Sequence, residues 1–334
     1  MTLPAMSPSA QLDIEGGRSR TNGHDGGRAL VPGVYVPTVV FFDANTEALD
    51  LKALSRHSVR LARAGVTGIA VQGSNGEAVH LTHDERQRII QTTRTALDDA
   101  GFTSMPVLVG CGAQSTREAI DLCEQAHEYG GDYALVLPPN YYRGLFNAST
   151  IAEYFTAVAD ASPIPLIIYN YPQATGVDLT SDALISLGSH PNIVGCKFTC
   201  GNTGKLGRVA SAFTGAKTGS LLCFAGSVDF FLPSLITGSA GVIGGLANIS
   251  PKAVVRLLQL YQQGRDEEAN VLHDVLGRAD WAAIQTGVVG TKVAMEEFYG
   301  YGGWARKPLP RPEGLERAKI IDGFREIVEL EKTL

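Results

Sequence analysis

The chain has 334 residues, 44% of them apolar, and carries 28 Lys and Arg against 34 Asp and Glu for a formal net charge of −6. That is enough apolar material for one large domain or two ordinary ones, and the acidic balance excludes a surface built to neutralise the phosphates of a duplex. No apolar run reaches the roughly 18 residues that a membrane span requires.

The first 30 residues stand apart. The stretch "MSPSAQLDIEGGRSRTNGHDGGR" is rich in Ser, Gly and charge and poor in apolar residues. Residues 1–30 therefore read as a disordered extension that cannot bury enough surface to offset its ordering entropy. Arg18, Arg20 and Arg28 lie among Asp13, Glu15 and Asp25 with no apolar face, unlike the acid-poor amphipathic pattern of a mitochondrial presequence. The cytoplasm is the expected compartment, with mitochondrial import the alternative. The five cysteines (Cys111, Cys123, Cys196, Cys200 and Cys223) are scattered and form no CxxC pair. They read as reduced thiols.

Beyond residue 30, short apolar and β-branched runs recur: "GVYVPTVVFF" (33–42), "VTGIAVQG" (66–73), "PVLVG" (106–110), "DYALVLP" (132–138), "IPLIIYN" (164–170), "NIVGCKF" (192–198), "LLCFAG" (221–226) and "AGVIGG" (240–245). Unbroken runs of this kind suit strands buried on both faces. Amphipathic helical segments separate most of them. One spans Asp50–Ala64, and another follows Thr82 and Glu85, which have capping-box spacing. "STREAIDLCEQAHEYG" opens on a cap residue and ends on glycine, and "TIAEYFTAVADAS" and "TSDALISLGS" follow the same plan.

Eight strands alternating with helices predict an α/β fold, a (β/α)8 TIM barrel over residues 31–260, followed by a C-terminal helical subdomain over 261–334. The competing open, doubly wound sheet usually announces a glycine-rich turn after its first strand. Here that strand leads into "DANTEALD", which has none.

Barrel enzymes carry their chemistry where strands end. Gly73-Ser74-Asn75-Gly76-Glu77, Pro138-Pro139-Asn140-Tyr141-Tyr142-Arg143, Tyr169-Asn170-Tyr171-Pro172 and Lys197 are then expected to converge on one mouth. A lysine inside a buried strand is costly unless it is paired or neutral. The bland reading has it snorkel or pair with an acid, but its strand contains no acid. Desolvation can bring a lysine to a pKa of about 7–8, and the neutral amine can then form a Schiff base with a carbonyl. Tyr169, on the adjacent strand, is either a core aromatic or the phenol that carries protons for such chemistry. The turn beginning at Gly73 is either a plain connection or an anion cradle in which backbone N–H groups, Ser74 and Asn75 face a carboxylate. His80 and His83 lack a third ligand nearby, so no metal site is expected. Gly110-Cys111-Gly112 fails the dinucleotide pattern at Ser115, and no P-loop, HExxH or GxSxG occurs.

The ordered set "GSNGE", "PPNYYRG", "YNYPQATG" and "GCKFTCGN" resembles the dihydrodipicolinate synthase / N-acetylneuraminate lyase superfamily, over residues from about Gly33 to Pro310. Within it, "VQGSNGE", "YYRG", "HPNIVG" and "FYGYGG" are similar to the 4-hydroxy-2-oxoglutarate aldolase branch. "VADASPIP" and "HPNIVGCK" are also similar to fungal 2-keto-3-deoxy sugar-acid aldolases. The resemblance implies a homotetramer, a substrate pair of 2-oxo acid and aldehyde, and no cofactor beyond the lysine adduct. It implies Lys197 as the Schiff-base lysine, Tyr169 as acid/base, Ser74 as relay, and Tyr142 completing that relay in a neighbouring subunit. Substrate would lie against Gly73, Ser74, Asn75, Thr199, Gly226 and Ile243. Ala174 stands where dihydrodipicolinate synthases carry an arginine, which argues against lysine biosynthesis. Phe198, Thr199 and Cys200 make the region beside Lys197 less polar than in the aldolase branch.

Overall fold

The computed structural model describes residues 28–214 and 221–334. Eight parallel strands close in sequence order into a barrel: β1 (Gly33–Pro37), β2 (Gly68–Val71), β3 (Val107–Gly110), β4 (Tyr133–Val136), β5 (Leu166–Asn170), β6 (Ile193–Phe198), β7 (Leu222–Ala225) and β8 (Gly241–Ile243). Each lies inside one of the expected runs. β1 is shorter than its run because Thr38–Phe41 leave the ladder, although Val39–Phe42 stay buried.

The helices are α1 (Leu51–Arg63), α2 (His83–Asp99), α3 (Thr116–Glu128), α4 (Ala148–Ala161), α5 (Pro172–Thr175), α6 (Ser181–Gly188), α7 (Thr203–Phe213), α8 (Phe231–Ile236), α9 (Pro251–Gln262), α10 (Asp266–Tyr299) and α11 (Gly314–Thr333). Local chemistry starts many of them. Asp50, Ser115, Asn147, Thr180 and Asn202 each accept a backbone N–H of the first turn, satisfying donors that would otherwise lack partners. Thr82 and Glu85 form the reciprocal capping box expected from their spacing. In the C-terminal helical region α10 is 34 residues long and is two helical stretches meeting at a kink at Gly287, where φ is 60° and ψ −151°. That conformation is open to glycine and strained for other residues, so the chain bends there without a loop.

Side-chain alternation sorts the strands into two layers. Val34 and Val36 of β1, and Cys196 and Phe198 of β6, pack outward against the helices. Tyr35, Ala70, Leu108, Leu135, Ile167, Phe224 and Ile243 form a ring inside the barrel. Fully burying a large apolar side chain yields about 1.5–3 kcal/mol. Several in one ring therefore offset the desolvation of a single interior amine, which costs a few kcal/mol.

The C-terminal helices grip the barrel by its loops. Asp280 of α10 accepts from Ser227 Oγ (2.5 Å), Val228 N (2.7 Å) and Asp229 N (2.9 Å), all in the loop after β7. Glu331 of α11 accepts from Lys252 N and Ala253 N at the start of α9, where the helix dipole favours a negative charge.

Residues 1–27 of the stretch expected to be disordered lie outside the described residues. Arg28–Leu30 are held in place: Arg28 Nε donates to the Thr103 carbonyl, Nη1 to Asp132 (3.1 Å), and Leu30 N to Tyr133 Oη (2.8 Å). All five cysteine sulfurs are unbridged. No helix among the described residues is long and apolar enough to cross a membrane.

Candidate active site

Because Cys196 and Phe198 face the helices, Lys197 between them faces the barrel interior. It is 4% exposed. Its strand neighbours in register are Tyr169 on one side and Phe224 on the other, and Nζ sits 4.1 Å from the centre of the Tyr169 ring. Among the described residues no carboxylate lies within ion-pair distance of it. Desolvation alone pulls its pKa from the ordinary 10.5 down to about 7. Near neutrality a large fraction of the amine is therefore uncharged and nucleophilic.

Tyr169 is 4% exposed. Burial raises its pKa, partly countered by the hydroxyls of Ser74 and Thr199 beside it, so the phenol holds its proton at neutral pH and can donate it. Its ring stacks on Tyr171 at 5.5 Å and 13°. Thr199 Oγ1 is fully buried and has no partner of good hydrogen-bond geometry. It lies close enough to the phenol to lower that pKa, but a donor or acceptor position remains open for a ligand. A Cβ at Gly226 would fall 1.9 Å from Thr199 Oγ1, so glycine after β7 is what lets this hydroxyl sit in the mouth.

The turn after β2 is held in a strained shape. Two non-glycine residues flanking it, Gln72 (φ 56°) and Glu77 (φ 50°), are left-handed, a conformation that persists only where the surroundings over-determine it. Gln72 Nε2 donates to the Arg86 carbonyl (2.6 Å). Glu77, 3% exposed, accepts from Lys292 Nζ (2.6 Å) and from Arg306 N (2.8 Å). Between these anchors Ser74 lies beside the Tyr169 phenol, and Asn75 Nδ2 is 2.8 Å from where a Cβ of Gly245, after β8, would stand. Ile243 belongs to the interior ring.

One chain thus brings together Lys197, Tyr169, Ser74 and Thr199, with Gly226 against Thr199. Tyr142 stands on the rim, 61% exposed, with its ring edge-on to Tyr141 at 5.0 Å. The sequence reading missed the anchors: Glu77 was read only as part of a turn, and Lys292 not at all. Their sole signal is an acid after a glycine turn and a lysine inside an apolar helix, 215 positions apart. His80 pairs with Glu77 (3.1 Å) and His83 with Glu118 (3.6 Å), so the two go to different partners. A groove of about 1170 Å3 opens elsewhere, between α1, α2, α9 and α11, and shares no residue with the mouth.

The fold and site together define a (β/α)8 barrel with a C-terminal helical layer and an unpaired lysine at the end of β6. The family model for the dihydrodipicolinate synthetase family matches residues 31–320, and the chain belongs to that family. A protein of Emericella nidulans named probable mitochondrial 4-hydroxy-2-oxoglutarate aldolase is 53% identical over 92% of this chain and 98% of its own length. The L-threo-3-deoxy-hexylosonate aldolase of Hypocrea jecorina is 50% identical over 92% of this chain and 99% of its own. A crystal structure of a dihydrodipicolinate synthase family protein from Coccidioides immitis superposes with a TM-score of 0.82 at 34% identity, covering 92% of this chain and 99% of that one.

Proposed function

We propose that the protein is a class I, metal-independent aldolase that cleaves a 4-hydroxy-2-oxo acid to pyruvate and an aldehyde, with 4-hydroxy-2-oxoglutarate, giving pyruvate and glyoxylate, as the favoured substrate. The observation that carries this reading is Lys197: buried, without a carboxylate, and depressed to a pKa of about 7. Its neutral Nζ adds to the C2 carbonyl, and loss of water from the carbinolamine leaves an iminium. Removal of the C4 hydroxyl proton breaks the C3–C4 bond. The bonding pair flows into the iminium to give an enamine, and the aldehyde departs. Protonation at C3 and addition of water then free pyruvate and restore the amine.

Tyr169 and Ser74 supply and accept the protons. Gly73, Ser74 and Asn75 hold the C1 carboxylate, and Thr199, Gly226 and Ile243 line the remaining wall. Tyr142, exposed in a single chain, completes the relay from a neighbouring protomer of a homotetramer. The second reading, a 2-keto-3-deoxy sugar-acid substrate, draws on the relatives of that name; Phe198, expected beside the pocket, packs outward against the helices and does not bear on the choice. The relative named mitochondrial makes that organelle, besides the cytoplasm, a compartment for this chain.

The test is borohydride trapping with pyruvate. The expected result is a reduced pyruvyl adduct on Lys197, located by peptide mass. An unmodified Lys197 ends the reading.

A further inference from the structure

The eight loops that leave the C-terminal ends of the strands contain one Lys or Arg between them. Residues 38–50, 72–82, 111–115, 171–180, 199–202, 226–230 and 244–250 have neither, and residues 137–147 contribute Arg143. Its guanidinium makes no ion pair among the described residues. The acids in the neighbouring loops are engaged elsewhere, Asp178 with Lys205 (2.5 Å) and Glu77 with Lys292 (2.6 Å).

Its position is set from both sides. Gln114 Oε1 accepts from Asn140 N (3.0 Å) and Tyr141 N (2.9 Å), and Asn140 Nδ2 donates to the Ala174 carbonyl (3.3 Å). The β4 loop is thereby tied to the β5 loop, the one that begins at Tyr171 on the Tyr169 ring. Arg143 Nη1 lies over Gly176, 2.5 Å from where a Cβ would stand, and Gly176 has φ 65°. Any side chain there would push the guanidinium aside. The β5 loop itself brings Ala174, which has no charge, so the cation of this wall comes from the β4 loop.

We propose that Arg143 is a specificity-determining residue that receives an anionic distal end of the aldehyde half, a carboxylate, through its planar fork of N–H donors. This rests on the aldolase reading and deepens it. With the C2 carbonyl on Lys197 and the C1 carboxylate at Gly73–Asn75, the C4 substituent extends outward to the rim. A carboxylate there finds, among the described residues of the eight loops, one cation without an ion pair, whereas a neutral polyol gains little from it. Glyoxylate is then the preferred partner over glyceraldehyde.

The experiment measures condensation of pyruvate with glyoxylate and with glyceraldehyde, using the full chain, Arg143→Ala and Arg143→Lys, with borohydride trapping of pyruvate in each. Loss of a charge-assisted bidentate contact corresponds to about a tenfold to hundredfold change. The ratio of kcat/KM for glyoxylate over that for glyceraldehyde should fall by that factor in Arg143→Ala, mainly through KM for glyoxylate, and recover in part in Arg143→Lys. Equal losses with both aldehydes, or an unchanged ratio, overturn the proposal while a pyruvyl adduct keeps the aldolase reading standing. Absence of the adduct in the unsubstituted protein overturns both.

Discussion

Of the three lysines buried among the described residues, Lys197, Lys205 and Lys292, two lie in regions with opposite solutions to the same cost. Lys292 lies in the seam between α10 and the turn after β2. It is 0% exposed, and Nζ is bonded to Glu77 (2.6 Å) and the Trp304 carbonyl (2.9 Å) and sits 4.4 Å from the centre of the Phe42 ring. Lys197 lies in the barrel mouth with an aromatic ring at a similar distance, 4.1 Å, but with no acid among the described residues. Burial lowers both pKa values, to about 8 for Lys292, where Glu77 pulls the other way, and to about 7 for Lys197, where nothing does. A lysine with a carboxylate is held charged and ties two parts of the fold together. A lysine without one is left with a lone pair to use. Only the second arrangement makes a nucleophile, and the first keeps the Ser74 turn in place beside it.

The sharpest way to break this comparison is Lys197→Met. Removing the group that forms the covalent intermediate should cost about 10⁴-fold or more in aldol cleavage, measured as pyruvate release. Stability should move the other way. The unfolded lysine binds a proton up to about pH 10 and the folded one only up to about 7, so its burial penalises folding most below pH 7 and the penalty fades as pH rises. The variant should gain up to a few kcal/mol at pH 7 in denaturant melts. A loss of stability there would mean that Lys197 serves the fold.

The second break is at the other lysine. Lys292→Met leaves Glu77 buried without its cation and should destabilise the fold by about 3–5 kcal/mol. The freed turn should raise KM for the 2-oxo acid more than it lowers kcat. Pairing it with Glu77→Leu should recover much of the stability, because both charges are then gone. An undiminished melting midpoint in Lys292→Met would remove the pair from the account of the turn.

The smallest effect is read from pH. Activity limited by neutral Lys197 should rise about tenfold per unit below pH 7 and level off above it, as the amine loses its proton. A kcat/KM profile flat from pH 5 to 8 would contradict the depressed pKa. Titration of Lys292, near 8, should leave no such limb on the rate.

Much of the fold is legible along the chain. A strand buried on both faces shows as a continuous apolar run, and a helix start shows in Thr82 and Glu85, because both signals depend on neighbours a few residues away. Lys197 and Tyr169 stand out for the same reason, as polar groups within buried strands. The bend at Gly287 does not show, since a glycine between two helical stretches reads equally as a loop or as a kink. Arg143 reads as one polar residue among several in its motif until the other seven loops prove to lack a Lys or Arg.

By itself the amino-acid order determined the alternation of strands and helices, the closing number of strands and the lysine that interrupts the sixth. These follow from local periodicity, capping and the cost of burying charge. Tertiary structure alone decided that Glu77 meets Lys292 and that, among the described residues, no acid meets Lys197 and Thr199 Oγ1 is left without a well-aligned partner beside a phenol. The reason is that desolvation and Coulomb attraction depend on distances through space, and groups far apart in the chain can lie within 3 Å once it folds.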